Sequence, residues 1–587
     1  MVRRILQNIF SFQFLKFLVV GVFNTVIDFA VLNVLSYATS VYAGSGIIGL
    51  NIVSFLAAVT NSYFWNKFWT FRHGLPVGAR EYSKFMAVNL GGAVINSGIV
   101  YVITTIAEPV GGVHPQLWLN IAKIVALPVS TIWNFLGAKR FIFRHRLPGR
   151  RFFQNQRQIL RAMPKFVADF HIHSRYSRAV SQSMVLEELD AWADDKGILV
   201  MGTGDFTHPA WFRDIKTKLE PAESGLFRLR HELKRKTMKD TYAETRFILT
   251  VELSGIYQRH GRTRRIHNLV FMPDLASAEK LNTQLGWIGN LASDGRPILG
   301  LDSEELAKIV FGITPEAAII PAHAWTPWFS VFGSMSGFDS LEECFGGYAT
   351  HIFAIETGLS SDPPMNWRLS KLDHIALISN SDSHSPSRIG REANQFNTEL
   401  SYRGIMEALR SRNPAQFTST YEFFPEEGKY HYDGHRDCKI SWAPEETKAK
   451  RGICSVCGKP VTVGVMHRVD VLADRLAGFR PEGRVPYRNI VPLDEVIGEA
   501  LGVGSAAKGV RKDYEALIRA FGSELTVVLE TPIADIGRVV RADVAEGMRR
   551  MREGKVTVIP GYDGEYGKVK MFAEGERVKG VAQKALF

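Results

Sequence analysis

The sequence predicts a multi-domain chain: an all-α four-helix membrane bundle, then an α/β distorted barrel of seven strands, then a cysteine-bearing module and a mainly helical C-terminal region. Three observations carry this. Phe17 to Tyr37, Gly46 to Trp65, Phe85 to Ile106 and Leu117 to Leu136 are four apolar stretches, each close to the ~20 residues a helix needs to cross hydrocarbon. From Phe166 onward, seven short apolar runs alternate with helix-type segments, and most end on a histidine or carboxylate. Beyond them lie two thiol-bearing clusters. The expected segments are 1–147 for the bundle, 148–165 for a basic linker, 166–425 for the barrel, 426–490 for the cysteine module and 491–587 for the helical end.

A chain of 587 residues exceeds one domain, and a net charge of +12 favours an anionic partner, lipid headgroups or nucleic acid. Only four cysteines occur, three of them close together. That excludes a disulfide framework and fits a reducing compartment.

In the first 147 residues the Lys and Arg distribution sets an orientation. Arg3, Arg4 and Lys16 precede the first stretch, Lys67, Arg72, Arg80 and Lys84 separate the second from the third, and Lys139, Arg140, Arg144 and Arg146 follow the fourth. The intervening loops, 38–45 and 107–116, carry neither residue. Both termini and the soluble part are therefore expected on the cytoplasmic face of a multi-pass membrane protein. A cleaved signal peptide explains only the first stretch. Asp28 and Lys123 fall inside predicted spans, where an ionisable group faces the bundle interior or a partner. F-L-V-V-G-V-F-N-T-V-I-D-F at 17–29 with N-K-F-W-T-F-R at 66–72 resembles the GtrA-like family. That resemblance covers about residues 10–147 and implies handling of polyprenyl-phosphate sugars in polysaccharide synthesis.

The barrel begins at Phe166–Phe170, which leads into His171 and His173, two imidazoles on one face of a strand. Ile198–Met201 leads into G-T-G-D-F-T-H with Asp205 and His208, and Arg246–Val251 into Glu252. Another run carries His267, Ala317–Ile320 precedes His323, His351–Ile355 precedes Glu356, and Ile375–Ser379 precedes Asp382 and His384. Met184–Lys196, Glu223–Lys239, Ser303–Val310 and Tyr402–Ser411 read as helices between them. In a parallel α/β barrel these residues meet at the carboxyl ends of the strands. Imidazole and carboxylate without thiolate suit Zn, Mn, Fe or Mg. His171, His173, Asp205, His208, Glu252, His267, His323, Asp382 and His384 are the expected ligands, with Glu356 either a ligand or an orienting group. Such a cluster suits phosphoester hydrolysis, with Asp205, His208 or His384 as catalytic proton relay. The motif series resembles the polymerase and histidinol phosphatase (PHP) superfamily, which implies a distorted barrel holding two or three divalent ions.

His435-x-x-Cys438 and Cys454-x-x-Cys457 have the spacing of two zinc knuckles closing one structural zinc site, with His467 as the alternative to His435. Y-H-Y-D-G-H-R-D-C, C-S-V-C-G-K and G-V-M-H-R-V-D-V-L-A-D-R, joined to G-T-G-D-F-T-H-P-A-W and to V-I-P-G-Y-D-G-E-Y-G at 558–567, resemble the endonuclease Q family. The resemblance implies a repair nuclease that cuts DNA on the 5′ side of deaminated bases such as hypoxanthine and uracil, or of abasic sites, beside repair or replication proteins. Residues 491–587 then read as a DNA-binding region. Leu493–Leu501 and Lys512–Phe521 are amphipathic helices, Arg549 and Arg550 are phosphate contacts, and Tyr562 and Tyr566 stack on an extruded base. A small-molecule phosphoesterase and a lipid-linked sugar translocation component with an accessory barrel are the alternatives.

Overall fold

The computed structural model describes residues 12–39, 45–70, 79–106, 115–138, 165–573 and 576. It divides into two compact units, Met1–Asn155 and Gln156–Phe587. Residues 148–164 of the expected linker lie outside the described residues.

In the first unit α1 (Phe12–Thr39), α2 (Ser45–Trp65), α3 (Ala79–Ile106) and α4 (Pro115–Gly137) cover the four apolar stretches. α2 runs on into a π-helical turn, Asn66–Thr70. Tyr63, Phe85 and Phe135 are fully buried, with ring centroids 5.5 Å apart for Tyr63 and Phe85 and 5.4 Å for Phe17 and Phe135. Polar pairs link neighbouring helices: Asn61 Nδ2 donates to Asn24 Oδ1 at 2.9 Å, and the Thr60 and Tyr82 hydroxyls meet at 2.7 Å. A Cβ on Gly137 would come within 2.5 Å of Val88, so glycine lets α3 and α4 close up. Val22, Phe23, Val26, Val34, Leu90 and Val94 are each more than 60% exposed. Among the described residues no helix is long and apolar enough to cross a membrane. The side chains of Asp28 and Lys123 lie outside the described residues.

In the second unit each of the seven apolar runs forms a strand: β1 (Lys165–Asp169), β2 (Val200–Gly202), β3 (Arg246–Arg259), β4 (Arg262–Met272), β5 (Ala318–Pro321), β6 (Ala354–Glu356) and β7 (Ala376–Ile378). β1, β2 and β3 pair in parallel. β3 and β4 instead form a long antiparallel hairpin, β4 pairs antiparallel with β5, and β6 and β7 make a separate parallel pair. The sheet is mixed, which corrects the expected parallel barrel. The cause is local. His260 and Gly261 both have positive φ, 53° and 70°, the backbone a two-residue hairpin turn demands, and glycine supplies it without steric cost.

Three further strands, Ala393–Asn397, Phe417–Glu422 and Tyr487–Asn489, extend the sheet beyond β1. Glu223–Lys239 is not a helix. Phe227–Leu229 is a short strand with Phe227 opposite Phe247, followed by a single turn at His231–Leu233. Burial of Phe227 and Leu229 overrides the helix propensity of the charged run. Helices Leu493–Leu501 and Lys508–Phe521 bury Val496, Ile497, Leu517 and Ile518 in the same core as Leu186 and Leu189. There Lys196 Nζ donates to Glu524 Oε2 at 2.5 Å and the Tyr514 hydroxyl donates to the same oxygen at 2.6 Å.

Candidate metal centre

β1 delivers His171 and His173 to the mouth of the sheet, and a carboxylate fixes each ring from behind. His171 Nδ1 meets Glu356 Oε1 at 3.0 Å, and His173 Nδ1 meets Asp205 Oδ1 at 3.1 Å. A carboxylate only accepts, so both imidazoles carry their proton on Nδ1 and present a bare Nε2. Those two Nε2 atoms and Asp382 Oδ1 are buried without a hydrogen-bond partner. They converge: His173 Nε2 lies 3.2 Å from Asp382 Oδ1 and 3.3 Å from Glu252 Oε2, and His171 Nε2 lies 3.5 Å from the latter. Glu252 Oε1 faces His267 Nδ1 at 2.7 Å and His323 Nε2 at 2.9 Å. His384 Nδ1 donates to the Asp382 carbonyl at 2.9 Å, leaving its Nε2 bare.

Three groups therefore have ligand atoms within 4.8 Å of one another: His171, His173 and Glu252; His173, Asp382 and His384; Glu252, His267 and His323. Buried lone pairs aimed at a shared point, unpaired with protein, fit divalent cations. The surrounding carboxylates draw positive charge into the site, and a bound cation would supply that charge in place of the second ring protons. Burial works against charge on His171 and His173, yet Glu356, Glu252 and Asp382 around the first and Asp205 beside the second raise both above the usual histidine range. Burial holds His267 near 4 and keeps His384 below its ordinary value. Asp205, His323 and Asp382 all have positive φ, 48°, 29° and 46°, a strain that functional sites concentrate.

Not every expected ligand is in these groups. Asp205 stands one layer back: its Oδ2 accepts from Ser174 N at 2.6 Å, Ser174 Oγ at 2.7 Å and Ser177 Oγ at 2.9 Å, which consumes the carboxylate. His208 is stacked on Tyr176 with ring centroids 4.4 Å apart and is likewise outside the three groups. Glu356 also stands behind, accepting from Asn380 Nδ2 at 2.8 Å and His323 N at 2.7 Å. Sequence reasoning missed Arg296, whose Nη1 donates to Glu252 Oε2 at 2.9 Å, and Asn380, which follows no ligand pattern. The available signal for Arg296 was Asp294-Gly295-Arg296. A Cβ at Gly295 would lie 2.3 Å from Asp205 Oδ2, so that turn is clamped against the centre.

A cleft of about 860 Å³ opens above these residues, lined by Arg178, Arg296, Arg388, Arg391 and Lys429 and by Trp328, Phe329, Phe423, Tyr430 and Tyr566. Tyr566 is 67% exposed with Lys429 Nζ 4.5 Å above its ring. Tyr562 is half-buried and packs on Gly434, where a Cβ would lie 2.4 Å from its ring. Arg549 and Arg550 depart from the expected free cations. Arg549 pairs with Glu546 and Glu553, and Arg550 with Glu546 and Glu576. In the cysteine module His435, Cys438, Cys454 and Cys457 bring their ligand atoms within 4.8 Å of one another. His467 Nδ1 is taken by Asp433 Oδ2 at 2.6 Å.

Fold and site together define an α/β protein with three adjoining histidine–carboxylate groups of metal-ligand type, a three-cysteine, one-histidine module at its side and a helical cap. Comparisons narrow this. The crystal structure of the lesion-specific endonuclease PfuEndoQ from Pyrococcus furiosus superimposes with TM-score 0.61 at 30% identity, covering 69% of this chain and 95% of that one. An endonuclease Q complexed with a 27-mer duplex substrate carrying an abasic lesion at the active site gives TM-score 0.62 at 30% identity, covering 72% and 100%. The uncharacterized protein YqxK of Bacillus subtilis is 31% identical over 421 residues, 70% of this chain and all of YqxK. The uncharacterized protein MJ0043 of Methanocaldococcus jannaschii is 30% identical over 306 residues, and the chain spans 37% of its length. Residues 16–161 match the GtrA/DPMS transmembrane domain, and residues 492–555 the MJ0043 C-terminal domain. The chain belongs to the endonuclease Q family, with a GtrA/DPMS domain on its N-terminal side.

Proposed function

We propose that the chain is a metal-dependent DNA endonuclease that cuts the phosphodiester 5′ to a deaminated base such as hypoxanthine or uracil, or to an abasic site, held at the cytoplasmic face of a membrane by its N-terminal GtrA/DPMS-type domain. One observation carries the reading: Nε2 of His171, Nε2 of His173 and Oδ1 of Asp382 converge, buried and unpaired, beneath a cleft lined by cations and aromatic rings. Metal ions bound there would polarise a phosphoryl oxygen and activate water for in-line displacement. The protein's own groups supply the rest. Arg178, Arg388, Arg391 and Lys429 offer positive charge to the DNA backbone. Tyr566 and Trp328 offer ring faces to an unstacked base. His384 stays neutral near pH 7 through burial, so its bare Nε2 either ligates or accepts a proton. The outward-facing apolar side chains of α1 and α3 are costly in water and support a lipid surrounding for the N-terminal unit.

The test is incubation of the full chain in detergent with duplexes carrying one hypoxanthine, with Mn²⁺, with Mg²⁺ or with chelator. The expected product is a metal-dependent nick on the 5′ side of the lesion, with undamaged duplex left intact. Equal cutting of both duplexes, or no cutting while a sugar phosphate is hydrolysed, refutes the reading.

A further inference from the structure

We propose that Arg296 binds the reacting phosphate and competes with a metal ion for Glu252, so that one guanidinium sets both metal affinity and rate. The proposal deepens the nuclease reading and rests on it for the identity of the phosphate. A guanidinium carries five N–H donors. Arg296 uses one on the protein, Nη1 to Glu252 Oε2 at 2.9 Å. Among the described residues its other side-chain donors have no acceptor within hydrogen-bond distance. They are not left over by accident of a surface position. The backbone is pinned on both sides of the turn: Arg296 N donates to Asp294 Oδ1 at 3.0 Å, and Gly295 N to Tyr176 O at 3.1 Å. Gly295 is packed too closely against Asp205 and Ser177 to carry a side chain. The fork is thus held at the cleft with its free donors on the lining, beside Asp382, His267 and His323. Planar, bidentate donation to two oxygens is what a phosphodiester accepts best.

The same geometry sets a competition. Glu252 Oε2 is the oxygen that faces Nε2 of both His171 and His173, so it belongs to the donor set of a metal group. An oxygen shared with a guanidinium attracts a cation less strongly, because the two positive charges repel across a few ångströms. Arg296 therefore weakens metal binding while strengthening phosphate binding.

The experiment compares wild type, R296K and R296Q as full chains in detergent. It measures Mn²⁺ affinity by calorimetry, inhibition by inorganic phosphate and nicking of the hypoxanthine duplex at saturating Mn²⁺. R296Q is expected to bind Mn²⁺ about tenfold tighter, to lose about tenfold in phosphate affinity and to nick about 100- to 1000-fold more slowly. R296K, which keeps the charge but not the fork, holds Mn²⁺ affinity near wild type and is still at least about tenfold slow. Unchanged Mn²⁺ affinity in R296Q, nicking within threefold of wild type, or loss of metal binding in both variants overturns the assignment; the last makes the arginine a structural prop. Should wild type itself fail to nick while the Mn²⁺ and phosphate arms behave as expected, the nuclease reading falls and the role of Arg296 stands.

Discussion

Asp205→Asn separates two roles for one carboxylate, a metal ligand or the group that orients His173. Asp205 is fully buried. Its Oδ2 accepts from three donors in Ser174 and Ser177, and its Oδ1 faces His173 Nδ1 at 3.1 Å. An amide has one oxygen, so it satisfies the three donors only by turning its NH₂ toward His173. The imidazole must then expose a bare Nδ1 and move its proton to Nε2, the atom 3.2 Å from Asp382 and 3.3 Å from Glu252. A protonated Nε2 cannot ligate. Loss of such an orienting partner lowers metal affinity about 10- to 100-fold, or about 1.4–2.7 kcal/mol at 1.36 kcal/mol per decade. The opposite flip sets NH₂ against Ser174 N–H and costs about 1–3 kcal/mol of stability. Calorimetric titration of Mn²⁺ into wild type and variant, with a thermal melt of each, measures both. Wild-type affinity would show that the tautomer argument is wrong. Complete loss of metal binding in a variant that melts normally would make Asp205 a direct ligand.

Lys196→Met strands Glu524 in the core, where the side chains are 3% and 5% exposed; the expected loss is about 3–5 kcal/mol in denaturant unfolding, and a change under ~1 kcal/mol refutes it. Glu427, pushed up to about 8 by burial and by Glu495 and Glu426, binds its proton more tightly folded than unfolded. Its contribution is full below about pH 4.5 and is lost as pH rises through 8; Glu427→Gln should leave Tm unchanged at pH 5 and raise it at pH 9, and equal shifts at both contradict the argument. His435→Ala should release the structural zinc, read by a colorimetric chelator, whereas His467→Ala should retain it; the reverse result would make His467 the fourth ligand.

What the sequence made legible follows period and spacing. His171 and His173 share a face because strand side chains alternate, and that rule needs no tertiary information. His267 was readable as a ligand-type residue but not as part of a returning strand, because the rule of strand-end ligands assumes parallel connections, whereas His260-Gly261 reverses the chain. Asp205 and Glu356 show a different limit. A carboxylate at a strand end either touches the metal or holds the histidine that does, and only the Ser174 and Ser177 donors, the latter 28 residues away, decide between them for Asp205. Arg549 and Arg550, read from the sequence as free cations, are paired with carboxylates for a related reason. Glu546 sits three and four residues before them on one helix, and that spacing pairs charges within the helix before any ligand arrives.

The cleft joins segments that are distant along the chain, and this gives the cysteine module a role that its own residues do not announce. Tyr430 packs edge-on against Trp328 with ring centroids 5.8 Å apart. Ser334 Oγ donates to Val463 O at 3.0 Å, and Arg468 donates to the carbonyls of Phe332 and Phe338 at 2.8 and 3.0 Å. The loop 325–338 that carries Trp328 and Phe329 into the cleft is thus fastened from behind by residues 463–468. Those residues are tied in turn to the hairpin of the three-cysteine, one-histidine site through Thr462 N and Gly434 O at 2.8 Å and Gly464 N and Asp433 Oδ1 at 2.6 Å. A zinc held there would brace one wall of the cleft, while His171, His173, Glu252 and Asp382 beneath it hang on β1, β3 and the loop after β7. Among the described residues the wall touches the floor on one side only, where the Phe329 ring lies 4.7 Å from the His267 ring and Phe329 O accepts from His267 N at 3.1 Å, so losing that zinc should loosen DNA binding at the wall and lower metal affinity at Glu252, His267 and His323 before it disturbs His171, His173 and Asp382.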